Sequence, residues 1–211
     1  MDRSEAAGGD ALTRVRPIDP ERAGAELREA MERQRDQLGL VPESLLTMAL
    51  RPGIATAWAK LAGEVTGPGT VDRGLKQLVA YVASATHGCR YCQAHTGQRA
   101  TSLGVDPAKL RHAFEYETSE LFDDAERDAL RLARDAALVP NEATDEHFER
   151  LRRHFSDEQI VELVAVIAMF GWLNRWNDTM ATTLELDPLE WAQHEIASAG
   201  WEVGQHAERE R

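Results

Sequence analysis

The sequence predicts an all-α protein, and three observations support this fold class. No stretch of the chain alternates polar and apolar residues between turn signals, as strands do. Apolar residues recur instead at spacings of three and four, which is typical of amphipathic helices. Helix caps and stop signals punctuate the chain, such as Asp19-Pro20 and Gly67-Pro68-Gly69. At 211 residues, the chain is long enough to bury a sizeable core.

In the first half of the chain, each helix is predicted between a start signal and a stop signal. Asp19 caps the first helix and Asp72 the fourth, while Gly67, Gly88 and Gly104 mark breaks. The predicted helices cover residues 20–38, 42–50, 54–65, 72–85 and 89–103. The last of these contains both cysteines of the chain.

In the second half, Asp106-Pro107 starts a short helix, and an alanine-rich face predicts another helix that ends before Pro140. Ser156 and Gln159 form a capping box in front of the most apolar segment. The predicted helices begin at residue 107 and then cover residues 124–138, 144–154 and 160–170.

The chain contains an internal repeat at a shift of 85 positions. It aligns Gln77–Ala83 with Glu162–Ala168, Cys89–Cys92 with Asn174–Asn177 and, after a gap of one helical turn, Thr101–Pro107 with Thr182–Pro188. A whole-turn deletion keeps the same helix face, so the match predicts two related helix–break–helix units packed together. Only the first unit carries thiols.

We predict one domain. Residues 1–15 are expected to be a flexible N-terminal segment, 16–200 a single all-helical domain and 201–211 a loose C-terminal tail. Within the domain, the first unit lies at about 52–115 and the second at about 155–190.

Charge and hydropathy argue against binding to nucleic acid and against association with a membrane. The net charge of −12 disfavours nucleic acid and anionic membrane surfaces. The longest apolar run, Leu163–Leu173, is too short to span a bilayer. We therefore predict a cytoplasmic protein. Because thiols stay reduced in that compartment, a close cysteine pair indicates catalysis, redox sensing or metal binding rather than a structural disulfide.

The segment from His87 to His95 carries the chemistry that stands out in this sequence. Cys89, Cys92 and His95 follow at spacings of three, so on a helix they share one face. Thiols at that spacing fall within disulfide reach. A helix N-terminus stabilises a thiolate, and an imidazole close by can accept its proton. A thiolate of this kind would attack the O–O bond of a peroxide, and the second thiol would then close a disulfide.

Other interpretations of the pair remain open. Zinc would take His87, Cys89, Cys92 and His95 as its ligands, although most structural sites use two distant ligand pairs. Inert buried thiols are a third possibility. The five other histidines show no metal-ligand spacing and are expected at the surface. Glu162, an acid within an apolar stretch, is either the ion-pair partner of Arg175 or another arginine, or a catalytic group.

The segment Gly88–Thr96, after Leu75–Ser84, resembles the alkylhydroperoxidase D-like members of the carboxymuconolactone decarboxylase family. The resemblance implies an all-helical fold, homo-oligomers and a thiol peroxidase activity without metal or haem. It also implies that Cys92 reacts with the peroxide and that Cys89 resolves the intermediate. His95 then matches the histidine of a proton relay.

The chain departs from this family pattern at two positions. Gln77 stands twelve residues before Cys89, where the relay has a glutamate, and His95 follows Cys92 by three residues rather than four. The repeat places Glu162 at the position equivalent to Gln77, so we expect Glu162 to supply the missing acid, from this chain or a neighbouring subunit.

The resulting prediction is a peroxidase that reduces hydrogen peroxide or organic hydroperoxides and is recycled by a dithiol reductant protein. It needs no cofactor and forms a homo-oligomer. A carboxymuconolactone decarboxylase-type lyase is the first alternative. A thiol redox sensor or a zinc-stabilised interaction module is the non-enzymatic alternative.

Overall fold

The structure is a computed structural model that describes residues 13–208, apart from the side chains of residues 37 and 38. Most of the segment predicted to be flexible, 1–12, lies outside this range, as do the last three residues, 209–211. Between residues 13 and 208 the regular structure is helical, which confirms the all-α prediction.

Ten α-helices and several short 3-10 turns make up the described chain. The α-helices are α1 (Ala25–Leu38), α2 (Glu43–Met48), α3 (Pro52–Thr66), α4 (Arg73–His87), α5 (Arg90–Ser102), α6 (Pro107–Arg111), α7 (Asp124–Ala137), α8 (Asp145–Leu151), α9 (Asp157–Met180) and α10 (Leu186–Glu195). The predicted caps Asp72 and Ser156 are present, and Asp123 caps α7 as well: each of these side chains accepts a hydrogen bond from a backbone N–H in the first turn of its helix.

Helix α4 lies at the centre of the bundle and packs against α5, α7 and α9. Its middle turns are buried on every side, and Leu78, Val79, Ala80 and Val82 have no exposed surface. A helix that is apolar all round belongs in the core of a bundle. The thiol helix α5 therefore starts from the most rigid part of the molecule.

The second unit of the repeat differs from the predicted helix–break–helix pattern. Gly88 (φ 90°) ends α4 in a left-handed turn that glycine adopts without strain. The aligned position holds Leu173, whose side chain favours helix, so α9 continues for 24 residues. Its break comes later, at Ala181 (φ 48°), just before α10.

The C-terminal segment packs on the bundle, where the sequence predicted a loose end. Trp201 and His206 are buried, and the Trp201 indole donates to the Arg90 carbonyl at 3.2 Å. The Leu184 N–H donates to the His206 carbonyl. This segment therefore covers the start of the thiol helix.

A buried ion pair fastens α9 to the start of α4. Lys76 is 1% exposed and pairs with Glu162, which also accepts hydrogen bonds of 2.7 Å from the backbone N–H and the hydroxyl of Thr70. The hydrogen bond from Lys76, followed by those from Thr70 and Val71, lowers the pKa of Glu162 to about 2 against the opposing effect of burial.

No helix among residues 13–208 has the length and apolar character needed to cross a membrane.

We expect Glu162→Gln to lower the free energy of unfolding by about 3 kcal/mol at pH 7, because it leaves the Lys76 charge buried without its partner. The folded pKa of Glu162 lies below its unfolded value, so the ion pair stabilises the protein above about pH 4.5. The difference between wild type and variant should shrink as pH falls from about 4.5 to 2. Urea unfolding at several pH values measures it. The exposed Glu158→Gln, in the same helix, is the control, and equal losses in both variants would contradict the assignment.

Candidate functional site

The left-handed turn at Gly88 places both cysteines at the start of α5. Cys89 is the N-cap residue, and Cys92 lies in the first turn. The Cys89 backbone is fixed on both sides, since its N–H donates to the Ser84 carbonyl and its own carbonyl accepts from the Gln93 N–H. The sulfur positions therefore depend on the junction of two core helices rather than on a loose loop.

The two thiols are adjacent and are not joined in a disulfide. Both cysteines are free, and the neighbouring Cys92 thiol contributes to the raised pKa of Cys89. The side-chain amide of Asn177 donates to the Cys92 sulfur at 3.3 Å. Asn177 is the residue that the repeat aligns with Cys92, so the second unit contacts the first at this aligned position.

Both thiols are buried, and burial opposes the thiolate that the sequence analysis expected at the helix N-terminus. Cys89 is 0% exposed and Cys92 is 2% exposed, and both have polar neighbours. The helix N-terminus was expected to favour a thiolate, yet the pKa of Cys89 is raised well above its ordinary value. Burial is the main cause, followed by the neighbouring thiol of Cys92, while a hydrogen bond from His206 opposes the shift.

His95 is held by a carboxylate that the sequence analysis did not identify. Its Nε2 lies 2.6 Å from Glu185 Oε2, and Tyr91 donates to Glu185 Oε1 at 2.7 Å. Burial works to raise the pKa of Glu185, but the charge and hydrogen bond of His95, together with the hydrogen bonds from Glu43 and Tyr91, lower it below its ordinary value. Because an ionised carboxylate only accepts, Nε2 of His95 carries a hydrogen in this contact, and the proton that the ring can take up or release is the one at Nδ1.

Glu43 adds a second acid beside this pair. Its backbone N–H donates to Glu185 Oε1 at 2.5 Å. Burial, and then the charge of Glu185, raise the pKa of Glu43 to about 7. The two carboxyl groups thus differ in charge at neutral pH, with Glu185 ionised and Glu43 partly protonated.

Cys92 and His95 line one cavity of about 90 Å³. This volume holds several water molecules or a small ligand. Its walls combine apolar side chains with a few polar ones. They are Gln34, Pro42, Ser44, Trp58, Ala62, Thr66, Gln77, Tyr91, Thr96, Arg99, Met169, Phe170, Leu173 and Asn177. A molecule in the cavity can therefore reach the thiol and the imidazole together.

The structure thus brings together three of the four predicted site residues: Cys89, Cys92 and His95. Glu162 has another set of partners, namely Lys76, Thr70 and Val71. Its expected arginine partner, Arg175, instead donates to the Gly171 carbonyl.

Gln77, at the family's glutamate position, lines the cavity with Cys92. The sequence carried no local signal for Glu185, which follows His95 by 90 residues.

A second cluster surrounds Cys89. The Cys89 sulfur, a carboxylate oxygen of Asp178 and a ring nitrogen of His206 all lie within 4.8 Å of one another. His206 is 1% exposed, so its predicted surface position is wrong. Burial disfavours its charge, yet hydrogen bonds to Asp178, Cys89 and Thr182 raise its pKa to about 9. Among residues 13–208 this is the one His/Cys/acid group with the spacing of a metal site.

The four zinc ligands suggested by the sequence, His87, Cys89, Cys92 and His95, do not form a cluster of this kind. His95 Nε2 contacts Glu185, and His87 Nε2 lies 3.8 Å from Asp178 Oδ2, behind the cluster. A metal would have to use Asp178 and His206 beside Cys89.

The part of the chain that carries the two thiols matches a family of known proteins. Residues 52–135 match the Carboxymuconolactone decarboxylase family, and this range includes both thiols and His95. Over 102 residues the chain is 36% identical to the alkyl hydroperoxide reductase of Mycobacterium tuberculosis, covering 44% of this chain and 29% of that protein. It is 27% identical over 170 residues to the uncharacterized protein YnjA of Escherichia coli, covering 68% of this chain and 92% of YnjA.

Solved structures resemble the fold over most of its length. The debrominase Bmp8 superposes with a TM-score of 0.76 and 33% identity, over 85% of this chain and 95% of Bmp8. A peroxidase-related protein from Ralstonia eutropha, described as an alkylhydroperoxidase core, gives a TM-score of 0.76 at 23% identity, over 85% of this chain and 96% of that chain.

Proposed function

Since the chain belongs to the carboxymuconolactone decarboxylase family, among its alkylhydroperoxidase D-like members, we propose that it is a dithiol peroxidase. Its substrate is hydrogen peroxide or an organic hydroperoxide, and a separate dithiol reductant protein recycles it. The observation that supports this most directly is the cavity in which Cys92 and His95 meet, with Cys89 behind Cys92.

In the first step, the Cys92 thiolate attacks one oxygen of the peroxide and the O–O bond breaks. Cys92 becomes a sulfenic acid, and the other oxygen leaves as an alcohol or water after taking up a proton. His95 supplies that proton, because it lines the same cavity and Glu185 stabilises its charged form. Asn177 holds the Cys92 sulfur in place with its amide.

In the second step, the Cys89 thiol attacks the sulfenic sulfur of Cys92. A disulfide forms, and the proton of the Cys89 thiol leaves with the sulfenic hydroxyl as one water molecule. The raised pKa of Cys89 suits this role, since a protonated thiol does not compete for the peroxide. The reductant then reopens the disulfide by thiol exchange.

The proposal includes a cytoplasmic location and a homo-oligomer. In the cytoplasm, where thiols are kept reduced, a dithiol reductant would be available to recycle the protein. Self-association would cover the apolar side chains exposed along α3 and α9, which include Leu61 and Trp172.

We expect Cys92→Ser and Cys89→Ser both to abolish catalytic consumption of hydroperoxide with a dithiol reductant. A sulfenic acid should be trapped by dimedone in Cys89→Ser and be absent in Cys92→Ser, because only Cys92 reacts with the peroxide. Mass spectrometry of the trapped adduct makes the measurement. Undiminished turnover in Cys92→Ser would remove it as the nucleophile.

We expect Glu185→Gln to lower kcat/KM for the peroxide by about 100-fold, because it removes the charge that supports His95. Glu162→Gln should retain most of the activity per folded molecule, since its partners are Lys76 and Thr70. Glu190→Gln, an exposed acid on α10, is the control. Loss of activity in Glu162→Gln with normal activity in Glu185→Gln would assign the acid to Glu162 instead.

A second candidate function is reductive dehalogenation of a small aromatic ring. Two observations favour it: the similarity to Bmp8 spans nearly the whole of that debrominase, and Trp58, Phe170 and Leu173 give the cavity an apolar lining. The thiolate of Cys92 would take the halogen as the ring carbon gains a proton. Cys89 would then displace halide and form the same disulfide, so the two thiols supply both electrons.

The two candidates are separated by their products. With 2,3,4-tribromopyrrole, the ligand bound to Bmp8 in one of its structures, and a dithiol reductant, a dehalogenase releases bromide stoichiometrically with disulfide formation. We expect wild type to turn over hydroperoxide at least tenfold faster than it releases bromide. The opposite ratio in kcat/KM would make dehalogenation the main activity.

A further inference from the structure

Cys89 contacts a group of side chains that the peroxidase cycle does not use. Asp178 comes from α9 and His206 from the C-terminal segment, and both lie beside the Cys89 sulfur rather than in the cavity with Cys92. Cys89 and His206 are fully buried, while Asp178 is 28% exposed and leaves one side open to solvent.

We propose that Cys89, Asp178 and His206 form a zinc site of the reduced protein, with a solvent molecule as the fourth ligand. Cys92 is not among the atoms that lie within 4.8 Å of one another, so it is not one of the ligands. A site with three protein ligands and one open position is a common zinc arrangement.

The ligand geometry supports a tetrahedral ion. His206 Nε2 lies 3.2 Å from Asp178 Oδ1. Two zinc ligands at bond lengths of about 2.0 Å in a tetrahedron are separated by roughly 3.3 Å, so this pair already has the required spacing. The Cys89 sulfur lies within 4.8 Å of both atoms, and a tetrahedral zinc ion would bring it to roughly 3.5 Å from each.

The surroundings orient these ligands as the outer shell of a metal site does. His206 Nδ1–H donates to the Thr182 carbonyl at 2.7 Å, which directs Nε2 toward the cluster. His87 lies 3.8 Å from the other oxygen of Asp178, and the Gln205 amide donates to Asp178 Oδ1 at 3.5 Å. The Leu184 N–H holds the His206 backbone. Both histidine and carboxylate are thus fixed before any ion binds.

The choice of metal follows from the donor atoms. A thiolate, an imidazole and a carboxylate together suit zinc, whereas magnesium and calcium prefer oxygen ligands only. Zinc displaces the thiol proton of Cys89 and any proton on His206 Nε2, and both protons go to solvent.

Zinc and the disulfide compete for the same sulfur. A Cys89 thiolate bound to zinc cannot attack the sulfenic acid on Cys92, and a Cys89–Cys92 disulfide offers no thiolate to the metal. This consequence rests on the proposed peroxidase function, but the metal site itself does not.

The test measures zinc affinity of the reduced protein without oxygen, by competition with a chromophoric chelator. We expect one zinc per chain and a loss of affinity of more than about tenfold in His206→Gln, Asp178→Asn and Cys89→Ser. Cys92→Ser should change the affinity less than threefold, and so should the exposed His194→Gln. His95→Gln should also bind zinc normally, because its side chain belongs to the cavity. The disulfide form should not bind.

Cobalt substitution gives a readout that does not depend on any variant. Cobalt(II) bound to the wild type should show a thiolate-to-metal charge-transfer band and the intense visible bands of a tetrahedral ion. Octahedral spectra, or zinc affinity that is unchanged in both His206→Gln and Asp178→Asn, would overturn the proposal. So would loss of affinity in His95→Gln with retention in His206→Gln.

Failure of the metal site is distinguishable from failure of the peroxidase assignment. If zinc binds as expected but hydroperoxide is not consumed, only the peroxidase proposal is wrong. If hydroperoxide turns over but zinc neither binds to nor inhibits the wild type, only the zinc-site proposal is wrong. Where both are right, zinc should inhibit wild-type turnover at least tenfold.

Discussion

The cost of burying charge organises the region around the thiol helix. Two carboxylates, Asp178 and Glu185, come from the second half of the chain and lie against α5, partly shielded from solvent. A carboxylate there needs hydrogen-bond donors, and each has a histidine: His206 for Asp178 and His95 for Glu185. Asp178 and His206 lie beside the Cys89 sulfur, whereas His95 lines the cavity with Cys92, so the two sulfurs differ in their surroundings although they are three residues apart.

That asymmetry fits the division of work that we propose for the two thiols. Cys92 faces the cavity, with Asn177 on its sulfur and His95 in the same wall. Cys89 faces away, toward Asp178 and His206, and its raised pKa keeps it protonated. The environment of Cys92 suits a sulfur that reacts with the substrate. The environment of Cys89 suits a sulfur that reacts later with the sulfenic acid or binds a metal ion.

The internal repeat explains how the second unit serves the first. Asn177, which the repeat aligns with Cys92, donates a hydrogen bond to the Cys92 sulfur, but its amide is not a nucleophile. Glu162 occupies the position of Gln77 and lies against Lys76, the neighbour of Gln77, where it joins α9 to α4. Within the residues that the structure describes, the thiol-free unit therefore contributes support: an orienting amide, an ion pair and, just beyond α9, the carboxylate of Glu185.

The sequence by itself determined most of the helices and their caps and the position of the two thiols at a helix start, because capping and helical periodicity are local properties of a few neighbouring residues. It placed Cys89, Cys92 and His95 together at the start of one helix, and it indicated that Glu162 needed a partner. Only the tertiary structure decided which acid serves His95, since Glu185 arrives from 90 residues away through the packing of α10 on α5. It also decided the fate of the C-terminal segment, where burial of Trp201 and His206 depends on a surface that exists only once the bundle has formed. Long-range contacts of this kind leave no periodic signal in the chain, so no reading of local pattern can find them.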